Sequence, residues 1–186
     1  MPWEAGAPDP GVIRETAPVL AADHDRIAAR FTEVVDAVTD WDAPTPVPEW
    51  RARDVVGHLT TWLPGYLAGL GITLPAADPD DPSGSWHRQD EALRSLLAAR
   101  GDEEVTHEHM GTLRLADLLA QIYLTDVFCH TWDLARSAGL AADLDPATCR
   151  EALDGMTSIE ALLRTSGHYG PAWPGDPGPD PERRLM

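Results

Sequence analysis

Gln121-Ile-Tyr-Leu-Thr-Asp126-Val-Phe-Cys-His130-Thr-Trp132-Asp133-Leu-Ala-Arg136 is the stretch from which the rest of the chain can be placed. Read at the helical period, Leu115, Leu119, Ile122, Asp126, Cys129 or His130, and Asp133 share one stripe, so two carboxylates and an imidazole interrupt an apolar face. A buried ionised carboxylate costs several kcal/mol even after relaxation, so groups placed this way are normally paired, hydrogen-bonded or bound to a metal. Asp126 and His130 stand one turn apart at i and i+4, a spacing at which two side chains of one helix can share a cation. A third ligand then has to come from another helix.

Working outward, this helix is expected over Thr112 to about Ala138, with Gly139 as its stop. A fifth helix, Pro146 to Arg164, opens with Asp145 as N-cap and Pro146 at its first position. Upstream, Leu20, Ile27, Phe31, Val34, Val35 and Val38 recur at three or four residues, which predicts a first helix within Val12–Trp41 that begins at or just before Pro18. His24 lies on its apolar stripe and reads as a core histidine or an outer-sphere neighbour of a metal site. Asp42-Ala-Pro-Thr-Pro-Val-Pro-Glu-Trp50 is a stiff connector that cannot be helical. A second helix, Arg51 to Leu70, turns Val55, His58, Leu59, Trp62 and Tyr66 inward. Gly71–Ser85 reads as a polar loop, Trp86–Arg100 as a third helix, and Gly101–Gly111 as an acidic loop holding His107 and His109, which fit a metal only if the segment is extended.

No strand pattern, repeat or glycine-rich phosphate loop is legible. The expected fold is all-α: an antiparallel four-helix bundle with an additional helix and a Pro-rich tail. Residues 1–11 are expected as a loose arm, 12–167 as a single bundle domain, and 168–186 as the Pro/Gly-rich tail. The formal net charge of −17 disfavours nucleic acid and anionic lipid as partners. Two cysteines, Cys129 and Cys149, are too few for a disulfide framework, and no leader or apolar span is recognisable, so a cytoplasmic protein is expected.

Within such a bundle His58 can be brought opposite Asp126 and His130. Two imidazoles and one carboxylate leave coordination positions open, the mark of a catalytic site; zinc is the default ion, and ferrous iron or nickel also suits the set. Spacing alone leaves equally open a hydrogen-bonded network in which Asp126 pairs with a histidine.

Trp50-Arg-Ala-Arg-Asp54-Val-Val-Gly-His58-Leu, after its proline connector, together with Asp126-Val-Phe-Cys-His130-Thr-Trp132-Asp133-Leu134-Ala, resembles the actinobacterial metal-binding branch of the DinB-like superfamily. That branch is related to the N-terminal domain of mycothiol-dependent maleylpyruvate isomerase. The likeness spans roughly residues 15 to 175, including Gly167-His-Tyr-Gly-Pro171. It implies a helical bundle in which His58, Asp126 and His130 bind a divalent metal, commonly zinc. The isomerases differ in carrying a glutamate at the place of Asp126 and a further C-terminal domain, and relatives often open the second helix with Ser or Thr where this chain has Arg51. Their tails usually run further than Met186, and the sequence does not say whether this C-terminus is native or truncated.

The resemblance further implies a small-molecule thiol such as mycothiol, ionised on the metal, that adds to an electrophile in a transferase or isomerase reaction. Asp133 is placed either to orient the free ring nitrogen of His130 or to serve helix packing or capping, Trp62 and Trp132 either to line the pocket or to fill the core, and Cys129 to point aside as a small hydrophobe. The alternatives are a non-catalytic metal-stabilised sensor or dimerisation module, and a metal-dependent hydrolase; a homodimer is compatible with each.

Overall fold

The computed structural model describes residues 24–107, 110–158, 175–176 and 178–186. They fall into two compact units, one within residues 17–142 and the other within 143–186.

In the first unit, helix α1 (His24–Ala37) buries Ile27, Ala28, Phe31, Val34 and Val35, the i, i+1, i+4, i+7, i+8 face of an amphipathic helix. Its expected extension to Trp41 is cut short by an Asx turn, with Asp42 N–H donating to Asp40 Oδ1 at 3.0 Å. Residues 12–23 of the expected first helix lie outside the described residues. The proline connector folds back on itself: Thr45 N–H donates to Trp50 O at 3.0 Å and Ala52 N–H to Ala43 O at 2.9 Å. Glu49 turns the corner with φ 68°, in the left-handed region.

Helix α2 (Ala52–Ala68) buries Val55, Val56, Leu59, Leu63 and Leu67. Arg51 has no acceptor to offer a capping box, yet its own N–H donates to Asp54 Oδ2 at 2.8 Å, so half of the box is present. The helix stops where Gly71, at φ 72°, lets Ile72 N–H return to Leu67 O at 3.0 Å.

Helix α3 (Pro82–Arg100) starts four residues before the expected Trp86. Asp81 accepts Gly84 N–H at 2.9 Å and Pro82 occupies the first turn, so the end of the presumed loop is itself a helix start. Trp86 and Leu93 are buried on α3, and Trp86 donates its indole N–H to Thr32 Oγ1 at 2.8 Å.

The segment expected as an acidic loop is in fact the start of an antiparallel hairpin, β1 (Glu104–His107) and β2 (Gly111–Arg114), with Glu104 opposite Arg114 and His107 opposite Gly111. Each strand has four residues and one largely exposed face, too little alternation to announce itself in the sequence. The fourth helix accordingly begins at Leu115 rather than Thr112. It runs as α4 (Leu115–Leu119), a π-helical turn (Ala120–Leu124) and α5 (Thr125–Ser137).

Cross-links between helices fix the directions. Arg94 meets Asp25 at 2.7 Å, Trp86 meets Thr32 and His87 meets Asp36 at 2.8 Å, so α1 and α3 run antiparallel. His58 and Trp62 of α2 meet Asp126 and Tyr123 in descending order, so α2 and α5 do likewise. Helix α1 packs on α3 and α5, and α2 packs on the same two, which closes the ring of a four-helix bundle. Each leucine or phenylalanine sealed inside contributes roughly 1.5–3 kcal/mol of transfer free energy.

The second unit contains α6 (Pro146–Ser158), the expected additional helix, with Asp145 accepting Thr148 N–H at 2.8 Å. The expected continuation to Arg164 lies outside the described residues. The proline-rich tail is not wholly irregular: Asp180 caps a short helix α7 (Pro181–Leu185) that packs on α6. Cys149 is fully buried, and burial pushes its thiol up to about 11. Among the described residues no helix is long and apolar enough to cross a membrane.

Candidate metal centre

Helix α2 presents His58 near its start, and α5 presents Asp126 and His130 one turn apart. Antiparallel packing brings the three together, with one ligand atom from each lying within 4.8 Å of the others. His58 Nε2 stands 3.0 Å from Asp126 Oδ2, and His130 Nε2 stands 3.4 Å from Asp126 Oδ1. The imidazole rings of His58 and His130 are 5.1 Å apart, edge to face.

A further carboxylate decides the orientation of His130. Asp133, one turn along α5, faces His130 Nδ1 at 2.9 Å, and an ionised carboxylate can only accept. His130 therefore carries a proton on Nδ1, and its Nε2 is directed at Asp126 Oδ1. Two electron-rich atoms facing each other at 3.4 Å are stable only with a cation or a second ring proton between them.

The carboxylate of Asp126 is held from its other side as well. Trp62 donates its indole N–H to Asp126 Oδ2 at 2.9 Å. Beneath Trp62 lies Tyr123, edge to face at 5.8 Å, in the π-helical turn. Gln89 of α3 donates through Nε2 to both Tyr123 Oη and Leu59 O, each at 2.7 Å, and so ties the floor of the site to two neighbouring helices. Burial pushes the Tyr123 phenol far up, so it stays protonated.

The π turn explains a difference from the expected burial. Leu115, Leu118 and Leu119 are buried before it, Ala120, Tyr123 and Leu124 within it, and Val127, Phe128 and Thr131 after it, while Asp126, His130 and Asp133 lie at the edge of that face. An extra residue in the turn shifts the register by about 100° relative to an unbroken α-helix. The cluster accordingly opens to solvent: the side chains of His58, Asp126 and His130 are 33%, 29% and 13% exposed. The sequence reading had put them on the bundle's interior stripe.

Other sequence-singled residues are placed elsewhere. His24 sits beside Asp25, Asp90 and Arg94 between α1 and α3, where burial lowers its pKa. Trp132 lies under the guanidinium of Arg136, 5.9 Å from its ring centre, and not against the cluster. His107 is extended in β1 as its metal role required, but its ring neighbours Tyr66 at 6.1 Å; His109 lies outside the described residues. Cys129 is half-buried and Cys149 buried, and neither is in a disulfide.

Trp50 was missed as part of the site. Its indole stacks on His130 at 5.6 Å and leans on His58 at 5.2 Å, covering both imidazoles from the connector. The signal available was its position two residues before α2, which sets it above the helix's first inward-edge residue.

The donor set suits a divalent cation of the zinc, nickel or ferrous class. Two imidazole nitrogens and one carboxylate supply three ligands, Asp133 locks one ring in the metal-binding tautomer, and the partial exposure leaves room for an exchangeable ligand. Residues 20–70 match the mycothiol maleylpyruvate isomerase N-terminal domain, a family of the DinB-like superfamily. The match covers α1 and α2, and with them His58, but ends before Asp126 and His130. Comparison with curated proteins and with solved structures found no match.

Proposed function

From the match of residues 20–70 to the mycothiol maleylpyruvate isomerase N-terminal domain, we propose that this chain is a metal-dependent thiol transferase or isomerase. His58, Asp126 and His130 hold the ion, with zinc as the first choice. A divalent cation there would supply a Lewis acid that lowers the pKa of a coordinated low-molecular-weight thiol, of the mycothiol kind, so that its proton passes to solvent and its sulfur is held as a nucleophile.

The observation that carries the reading is His130, whose Nδ1 is engaged by Asp133 at 2.9 Å while its Nε2 faces the Asp126 carboxylate across 3.4 Å. The chain's own groups then have distinct tasks. Asp133 keeps His130 in one tautomer and one orientation. The Trp62 N–H holds Asp126 Oδ2, the oxygen that also meets His58, while Oδ1 is turned to His130. Trp50 roofs the two imidazoles and keeps bulk water off that side.

Protein purified without added metal is expected to carry a stoichiometric divalent ion by elemental analysis, lost in His58→Ala and in Asp126→Ala. Loaded protein is expected to form a thioether from a small thiol and an activated alkene, and His58→Ala to abolish this. Tightly held metal without thiol reactivity would leave a non-catalytic metal-stabilised module in its place.

A further inference from the structure

Resting on the metal–thiol reading above, we infer that Trp62 is a positioning residue that keeps Asp126 a one-oxygen ligand. Its indole N–H reserves Oδ2, so the place that a second oxygen would take on the ion stays open to the thiol.

Three ring nitrogens meet the Asp126 carboxylate. Trp62 Nε1 and His58 Nε2 approach Oδ2 at 2.9 and 3.0 Å, and His130 Nε2 approaches Oδ1 at 3.4 Å. They are not equivalent. An imidazole nitrogen can trade its proton for an ion and bind through its lone pair, whereas the indole nitrogen is a donor and nothing else. When both histidines turn lone pairs to a cation, Trp62 still donates to this carboxylate. The oxygen it holds is the weaker metal donor, because part of its electron density is drawn towards the N–H, and Oδ1 is the one offered to the ion.

The indole is braced in that direction. Tyr123, fully buried in the π turn, sets its ring edge to face against Trp62 at 5.8 Å. Gln89, also fully buried, donates to Tyr123 Oη and to Leu59 O, each at 2.7 Å. Leu59 stands three residues before Trp62 on α2, so the brace that starts at the indole returns to the helix that carries it. The consequence is a matter of counting. Two imidazoles and one oxygen fill three places of a tetrahedral shell and leave the fourth free. A second carboxylate oxygen would fill it, and an incoming sulfur would first have to displace that oxygen.

The test uses the full chain and a version in which benzothienylalanine replaces Trp62, so that sulfur stands where the N–H was and the ring keeps its shape. Infrared difference spectra of zinc-loaded minus zinc-free protein, with isotopically labelled aspartate, read the separation of the two carboxylate stretches. It is wide for binding through one oxygen and narrow for binding through two. A wide separation is expected in the parent protein and a narrow one without the N–H. With cobalt in place of zinc, the sulfur-to-cobalt charge-transfer band reads thiol binding. Affinity for N-acetylcysteamine is expected to fall about tenfold without the N–H, the worth of one net hydrogen bond, while the ion is held no less tightly. Trp62→Phe removes the same donor and is expected to act alike. Tyr123→Phe loosens the brace but keeps the donor, and is expected to retain the wide separation. A narrow separation in the parent, an unchanged one without the N–H, or a Tyr123→Phe protein that matches Trp62→Phe overturns this role of Trp62 while the metal site stands. A chain that takes up neither ion overturns the metal reading and this one together.

Discussion

At the scale of single residues, imidazoles in this chain do opposite things according to their neighbours. His130 is locked between Asp133 and Trp50 at the edge of the bundle, while His24 is wedged between α1 and α3, where desolvation outweighs the attraction of Asp90 and Asp25. The folded pKa of His24 therefore lies below its unfolded value of 6.5. Below that value the unfolded chain binds a proton that the folded chain resists, so stability is complete above 6.5 and lost as pH falls towards the folded pKa. His24→Gln is expected to flatten the acid limb of the melting temperature against pH, and superimposable profiles for the two proteins would refute this. The candidate ligands were legible because Asp126, His130 and Asp133 share a helical spacing with the wrong polarity for a core. His24 obeyed the same periodic argument and yet ended elsewhere, because a stripe says that a side chain turns inward but not which helix it meets. Trp50 escaped notice for the converse reason: no period governs a residue delivered by a connector.

At the scale of elements, the helices followed from apolar spacing and capping signals, and α2 fell within two residues of its expected ends. Two features did not. The hairpin is too short to show alternation, and the π turn leaves no mark in composition, since it is a matter of one residue's register. That register is a spacer. Leu115, Leu118 and Leu119 point into the core from one side of the turn and Val127, Phe128 and Leu134 from the other. Deleting Gln121 is expected to restore a regular α-helix and to rotate one set out of register. With α5 pinned between α1 and α2, the leucines of α4 move, at a cost on the order of 2–5 kcal/mol, the range for emptying one buried leucine. Urea unfolding measures this directly, and an unchanged midpoint would show that the turn has no spacing role.

At the scale of the molecule, a formal charge of −17 on 186 residues has to be tolerated by the fold. Acidic side chains are placed against arginines where they can be, as in Arg94 with Asp90 and Asp25, Arg100 with Glu103, and Arg114 with Asp117 and Asp102. Exposed pairs of this kind contribute little each, roughly 0–1 kcal/mol, and fourteen basic residues cannot neutralise thirty-one acidic ones. Long-range repulsion is thus the larger effect, and shortening the Debye length from about 30 Å at 0.01 M salt to about 8 Å at 0.15 M weakens it. The melting temperature is expected to rise over that range of sodium chloride; a fall would mean that the arginine pairs outweigh the net charge. The bundle itself could be inferred from the sequence, since four apolar periodicities joined by polar breaks admit few other arrangements.

The connector before α2 carries a last consequence. Glu49 is bent into a left-handed conformation and two main-chain hydrogen bonds bracket Trp50, so the indole is mounted on a clasp rather than a hinge. A roof of that kind does not swing aside to admit a visitor. Traffic to and from the histidines has to pass along the bundle's flank, which makes the sealed side and the open side of this centre a permanent asymmetry built in when the backbone closes.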